Sequence, residues 1–152
     1  MLFHDRKQAA GLLAERLAPY RGRRPLLLGL PRAGVVMARE MAGELAGDVD
    51  VLLVRKLRAP DRREIAIGAV TEDGSLFLPR RLDVPPAYVE EEKREALAAL
   101  RSQRALYTPR RRAACPAGRI AIVVDDGITA GVGADAVLRA LRRAGPARLI
   151  VA

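Results

Sequence analysis

"VVDDGITAGVG", residues 123–133, places two adjacent carboxylates, Asp125 and Asp126, at the end of an apolar run and follows them with almost no side chains. The run leading in, "RIAIVV" (119–124), does not alternate polar and apolar residues. That pattern predicts a strand buried on both faces of a parallel sheet. Behind the bare segment, Val137, Leu138, Leu141 and Ala144 recur at helical spacing over 133–144, and Gly145-Pro146 stops the helix. Strand, bare loop and helix together form one unit of an α/β protein.

Working outward finds the same unit again. "PLLLGL" (25–30), "VDVLLV" (49–54) and "ARLIVA" (147–152) are further non-alternating runs, and Val36, Met37, Met41 and Leu45 mark a helix over 33–46. The alternation predicts a doubly wound α/β fold with a parallel sheet. Two segments stand outside it. Residues 64–78, "EIAIGAVTEDGSLFL", read as a β-hairpin turning at Asp73-Gly74. Residues 86–107 read as a long polar helix entered at Pro85-Pro86. With the basic return "TPRRRAACPAG" (108–118), they make an insertion over 60–118 between the second and third core strands, placed to act as a mobile flap. The expectation is one domain over 1–152 that stops within a core strand and is completed by a further segment or a second copy.

Composition narrows the chemistry. A chain of 152 residues buries roughly 70% of its unfolded surface, enough for a core. Aromatics are 3%, so that core is Leu, Val, Ile and Ala. The single cysteine, Cys115, excludes an internal disulfide and a cysteine zinc cluster. The single histidine, His4, lies at the N-terminus, a poor place for a serine-type triad. No apolar run reaches the ~18 residues of a membrane span, and the N-terminus lacks the apolar core of a signal peptide. A soluble cytoplasmic protein is expected. The net charge of +9 fits either an arginine-biased surface or a polyanionic partner. RNA is the weaker partner, because the few aromatics are scattered and form no stacking cluster.

Ligands of open α/β sheets bind beyond the carboxyl ends of the strands, and three loops qualify. Residues 127–133 offer successive backbone N–H groups and a helix start, a phosphate cradle that Gly127, Gly131 and Gly133 leave open to close approach. Carboxylates beside a phosphate repel it unless something lies between. A ribose does so, its vicinal hydroxyls donating to Asp125 and Asp126 while its 5′-phosphate fills the cradle. A Mg²⁺ ion could neutralise part of the charge. "GLPRAGVVMA" (29–38) offers a second anion site through its amides and Arg32. "VRKLRAP" (54–60) sets Arg55 and Lys56 where a strand is expected to end. Two anion sites flanking one ribose describe a sugar with a phosphate at one end and a pyrophosphate at the other. Neither a Walker lysine nor a GxGxxG motif is present.

On these residues the chain resembles the type I phosphoribosyltransferases. "VVDDGITAG" is similar to their motif for 5-phosphoribosyl 1-pyrophosphate (PRPP), and "GLPRAGV" to their pyrophosphate loop. The stretch "VDVLLVRKLRAP…EIAIGAVTEDG" is similar to a bacterial subgroup with no assigned acceptor. The resemblance implies that Asp125 and Asp126 hold the ribose hydroxyls. It also implies that Gly127, Ile128, Thr129, Ala130, Gly131, Val132 and Gly133 form the 5-phosphate loop. Arg32, Ala33 and Gly34 would take the pyrophosphate, with Arg55 and Lys56 close by. Mg²⁺ would be held mainly through PRPP, with Asp125 or Asp126 in reach. The reaction implied is transfer of the phosphoribosyl group to a small-molecule acceptor, such as a nucleobase, with inversion at C1 and release of pyrophosphate. The chain departs from the family pattern at Ala130 and Gly133, where hydroxyl residues are usual, and at Ala33, where glycine is common. It also shows no recognisable last core strand or C-terminal hood. A PRPP-sensing regulator is the alternative that these departures favour.

Overall fold

A computed structural model of the chain describes residues 3–79, 84–127 and 131–152. Ile128, Thr129 and Ala130 of the expected phosphate loop therefore lie outside the described residues. In chain order the elements are α1 (Arg6–Arg16), β1 (Leu26–Gly29), α2 (Ala33–Leu45), β2 (Asp48–Val51), β3 (Val54–Arg58) and β4 (Ala66–Thr71). They continue with β5 (Leu76–Phe77), α3 (Pro86–Tyr107), β6 (Ile120–Val124), α4 (Val132–Arg143) and β7 (Arg148–Val151). The chain divides into two compact units. One comprises Met1–Leu52, Ala113–Ile128 and Leu141–Ala152, and the other Leu53–Arg112 and Thr129–Ala140.

The first unit is the parallel α/β core. Its sheet has the order β2-β1-β6-β7, with every pairing parallel. Leu27 stands opposite Val49 on one side and Ile122 on the other, all three from the non-alternating runs. The chain steps outward from β1 to β2 in one direction and from β6 to β7 in the other. The order thus reverses between β1 and β6, where such sheets open a crevice at their carboxyl ends. Helices α1 and α2 pack together through Ala10, Ala14, Met37, Ala38, Met41 and Leu45, over Leu27, Ile122 and Val124. Val36, expected on the same stripe, is 57% exposed; Met37, one residue on, takes the buried face.

Helix α1 is an element that the sequence reading did not anticipate. Its start is nonetheless a reciprocal cap: Asp5 Oδ1 accepts from the Gln8 amide at 2.8 Å, and Gln8 Oε1 from the His4 amide at 2.8 Å. Asp50 is a second surprise, an acid in an apolar run and only 4% exposed. Its carboxylate accepts the Val51 amide at 2.8 Å and the Ala114 amide at 2.6 Å, tying down the return segment.

The second unit holds an antiparallel sheet, β3-β4-β5, with α3 packed on β3 and β4. The run 49–54, expected as one core strand, is therefore divided between two sheets. β2 ends at Val51, the Leu52 amide closes its ladder on Gly29 O at 2.9 Å, and Val54 starts a strand of the other sheet. Because residues on both sides of the break are buried, hydropathy carries no sign of it. The second unit consequently begins at Leu53, seven residues ahead of the expected insertion. The hairpin turns where predicted, with Gly74 at φ +85. The Asp73 carboxyl is pushed up by burial, but bonds from the Thr71 hydroxyl and from Ser75 outweigh this and hold it below its ordinary range.

Helix α3 buries Val89, Ala96 and Leu100 in one stripe, and Glu92 lies in that stripe. Glu92 Oε2 accepts the Arg58 amide at 3.0 Å and Oε1 accepts Arg63 Nη1 at 3.0 Å, while the Tyr88 hydroxyl donates to Arg58 O at 2.9 Å. Burial raises the Glu92 carboxyl, yet the Arg58 amide and the Arg63 guanidinium prevail, and its pKa lies below the usual value. A depressed acid stabilises the fold above its unfolded pKa and loses that contribution as pH falls through the folded value. Glu92→Gln is expected to cost about 1.5–3 kcal/mol at neutral pH by removing charge-assisted bonds. Its deficit against wild type should shrink as pH falls below about 4. Denaturation followed across pH checks both, and a deficit that does not change with pH would count against an ionised Glu92.

Candidate functional site

The first unit holds a candidate site at the β1/β6 crevice. Beyond β1, the Leu30 amide donates to Val124 O at 3.0 Å, joining the ends of β1 and β6. The chain then turns through Pro31 and Arg32, whose peptide bond is cis, into α2. Arg32 holds the N-cap position without a capping bond from its side chain and is exposed, and Ala33 begins the first turn, whose leading amides have no partner within the helix. Gly34 makes this packing possible. A Cβ there would lie 2.2 Å from Val124 O and 3.1 Å from Asp125 Cα. Any other residue would lift α2 off β6. The bare position seats the expected pyrophosphate loop against the backbone of the Asp125-Asp126 pair.

The two carboxylates differ in surroundings. Asp125 is half-buried, and its amide donates to Ala152 O at 3.3 Å. Asp126 is exposed, and Arg6 of α1 holds its Oδ2 twice, through Nε at 3.1 Å and Nη2 at 2.9 Å. Arg6 was not among the residues singled out from sequence. The legible signal was the Asp5–Gln8 cap, which starts a helix at Arg6 but does not reveal where that helix docks. Phe3, Leu13 and Met37 join both carboxylates in lining a cleft of about 750 Å³. Gly127 follows, exposed, with open space where a Cβ would stand.

The second unit holds the rest of the expected residues. Gly131 and Val132 lead into α4, where the Asp135 amide donates to Gly131 O at 3.1 Å. Arg55 and Lys56 were expected in a loop at a strand end. They lie within β3, paired with Val70 and Ala69, and both are exposed. A Cβ built on Gly133 would stand 3.7 Å from Lys56 Cε, so the neighbour of Lys56 is the helix start of the expected phosphate segment. Arg55 and Lys56 also line a polar cleft of about 700 Å³ with Arg58, Arg63 and Glu92.

Among the described residues no three His, Cys, Asp or Glu side chains group to hold a metal ion. Asp125 and Asp126 supply two hard oxygen donors. That suits Mg²⁺, which binds through one or two carboxylates and takes its other ligands from phosphates and water. Among the described residues no helix is long and apolar enough to cross a membrane.

Fold and carboxyl-edge geometry together define an α/β protein of the type I phosphoribosyltransferase kind. The chain belongs to the phosphoribosyl transferase domain family, whose sequence pattern matches residues 4–152. Two Mycobacterium tuberculosis sequences, from strains CDC 1551 and H37Rv, carry a provisional phosphoribosyl transferase name. Each is 38% identical over 155 positions, covering 99% of this chain and 35% of the relative. The chain thus spans about a third of the length of those relatives. The crystal structure of TT1426 from Thermus thermophilus superposes with a TM-score of 0.83 at 42% identity, over 99% of this chain and 74% of that one. A hypoxanthine phosphoribosyltransferase from Staphylococcus aureus shares the fold, with a TM-score of 0.56 at 10% identity, over 96% of this chain and 60% of its own.

Proposed function

We propose that the chain binds PRPP with Mg²⁺ and transfers its 5-phosphoribosyl group to a small-molecule acceptor. The C1–O bond to pyrophosphate breaks, and a bond from C1 to the acceptor's nucleophilic atom forms on the opposite face. The observation that supports this reading is the seat of Gly34 on Val124 and Asp125, which brings the start of α2 against the backbone of the carboxylate pair. Asp125 and Asp126 accept from those hydroxyls and fix the ring. Arg32 and the first amides of α2 take up charge developing on the departing pyrophosphate. Residues 127–133 anchor the 5-phosphate. Mg²⁺, when bound through PRPP and a carboxylate, would neutralise the pyrophosphate charge. The protein's own contribution is position and preorganised charge. Support also comes from membership of the phosphoribosyl transferase domain family.

Calorimetry tests the reading. Mg·PRPP is expected to bind and to raise the melting midpoint, with ribose 5-phosphate binding more weakly through the phosphate half alone. Absence of both heat and thermal stabilisation at millimolar PRPP would overturn it.

A further inference from the structure

Because β1, β2, β6 and β7 are parallel, their first residues line one edge of the sheet, opposite the end that carries Asp125. The chain puts Arg23 and Arg24 just before β1, Arg119 just before β6 and Arg148 at the start of β7. The acid facing them is Asp48, at the start of β2, which accepts from Arg119 Nη2 at 2.6 Å and lies 3.6 Å from Arg24 Nη2. Two of these guanidinium groups, those of Arg24 and Arg119, meet that carboxylate.

Two of the four are held in place. Arg119 is 29% exposed and also donates to Arg24 O at 2.9 Å. Arg148 lies over the Tyr20 ring, 5.8 Å from its centroid, and donates to the Tyr20 hydroxyl at 2.8 Å. Arg24 sits in the left-handed region at φ 49, which is strained for a side chain and relaxed for glycine. Beside it, Gly118 at φ +68 has open space where a Cβ would stand. Arg23, Arg24, Gly118 and Arg119 line a cleft of about 510 Å³ with Ile120 and Ala147.

We propose that this cleft is a second anion site that takes an oligophosphate group, free or as the tail of a nucleotide. Arg23 and Arg24 before β1 and Arg119 before β6 lie at the starts of paired strands about 4.8 Å apart and line a single concavity, which suits a compact, multiply charged anion. A nucleic-acid strand needs an extended basic track with aromatic platforms, and the ring at this edge, Tyr20, already carries Arg148. The site is independent of the proposed transfer, which uses the opposite edge.

The test is a titration of the ¹⁵N-labelled chain with inorganic tripolyphosphate and, separately, ATP, read at the amides of Gly118 and Ala147. Those amides report this cleft and not Asp125. Saturable shifts are expected, at least tenfold weaker in Arg23→Ala/Arg24→Gly. That double variant keeps the fold, because glycine accepts the Arg24 backbone conformation. Tighter binding of ATP identifies a nucleotide tail, and tighter tripolyphosphate a free oligophosphate. Amides that stay still to millimolar probe, shifts that persist in the double variant, or a response confined to an RNA oligonucleotide would each overturn the proposal.

Discussion

Gly34→Ala is expected to unfold about 6–12 °C below the wild type. The added methyl meets Val124 O at 2.2 Å, Val124 C at 3.0 Å and Asp125 Cα at 3.1 Å, all backbone atoms with no rotamer to swing away. Overpacking costs about 1–3 kcal/mol where side chains can yield. Against backbone the upper end applies, about 3 kcal/mol, and each kcal/mol moves the midpoint by about 2–4 °C at this chain length. Gly43→Ala, in the same helix, is the control of opposite sign. Nothing lies within 4 Å of its added Cβ, so the helix gains about 0.5–1 kcal/mol from lost glycine freedom. Thermal melts of the two variants should move in opposite directions. A Gly34→Ala midpoint within a degree of wild type would mean that α2 does not rest on the Asp125 backbone.

The same glycine shows what a sequence discloses and what it withholds. The parallel core was legible because its strands are buried on both faces and its helices carry apolar stripes. Reading the ends of β1 and β6 as candidate loops needed only strand direction and the small residues that follow. The break at Leu52-Leu53 left no trace, since a chain passing between two cores is apolar on both sides of the passage. Asp50 and Glu92 were missed for a related reason. Each is an acid in an apolar pattern whose buried position is stabilised by backbone amides that only the fold supplies. Arg55 and Lys56 stand within β3 and not in a loop, because the strand break falls at Leu52-Leu53 and a new strand starts at Val54. Arg6 meets Asp126 across 120 residues of chain, a pairing that local spacing cannot encode.

Asp125→Asn is expected to weaken PRPP binding by about ten- to a hundredfold while leaving the melting midpoint nearly unchanged. A hydrogen bond to a charged group is worth about 1.5–3 kcal/mol, and about 1.4 kcal/mol is tenfold in affinity. Asp126 must respond differently, because its Oδ2 is already held by Arg6. On the proposed reading, Asp126→Asn loses both an acceptor for the ribose and that partner, so its loss of affinity is offset by a contact that no longer has to be broken. The offset is small, since the pair is 62% and 40% exposed at its two side chains and exposed pairs contribute about 0.2–1 kcal/mol. Arg6→Ala isolates it: PRPP binding should tighten by roughly 1.4- to fivefold, with stability shifting little. The order of affinity is then Arg6→Ala above wild type, Asp126→Asn below it and Asp125→Asn lowest, measured by calorimetry at one ionic strength. Weaker binding in Arg6→Ala would reverse the argument, because Arg6 would then be contacting the ligand itself and not guarding the carboxylate that receives it.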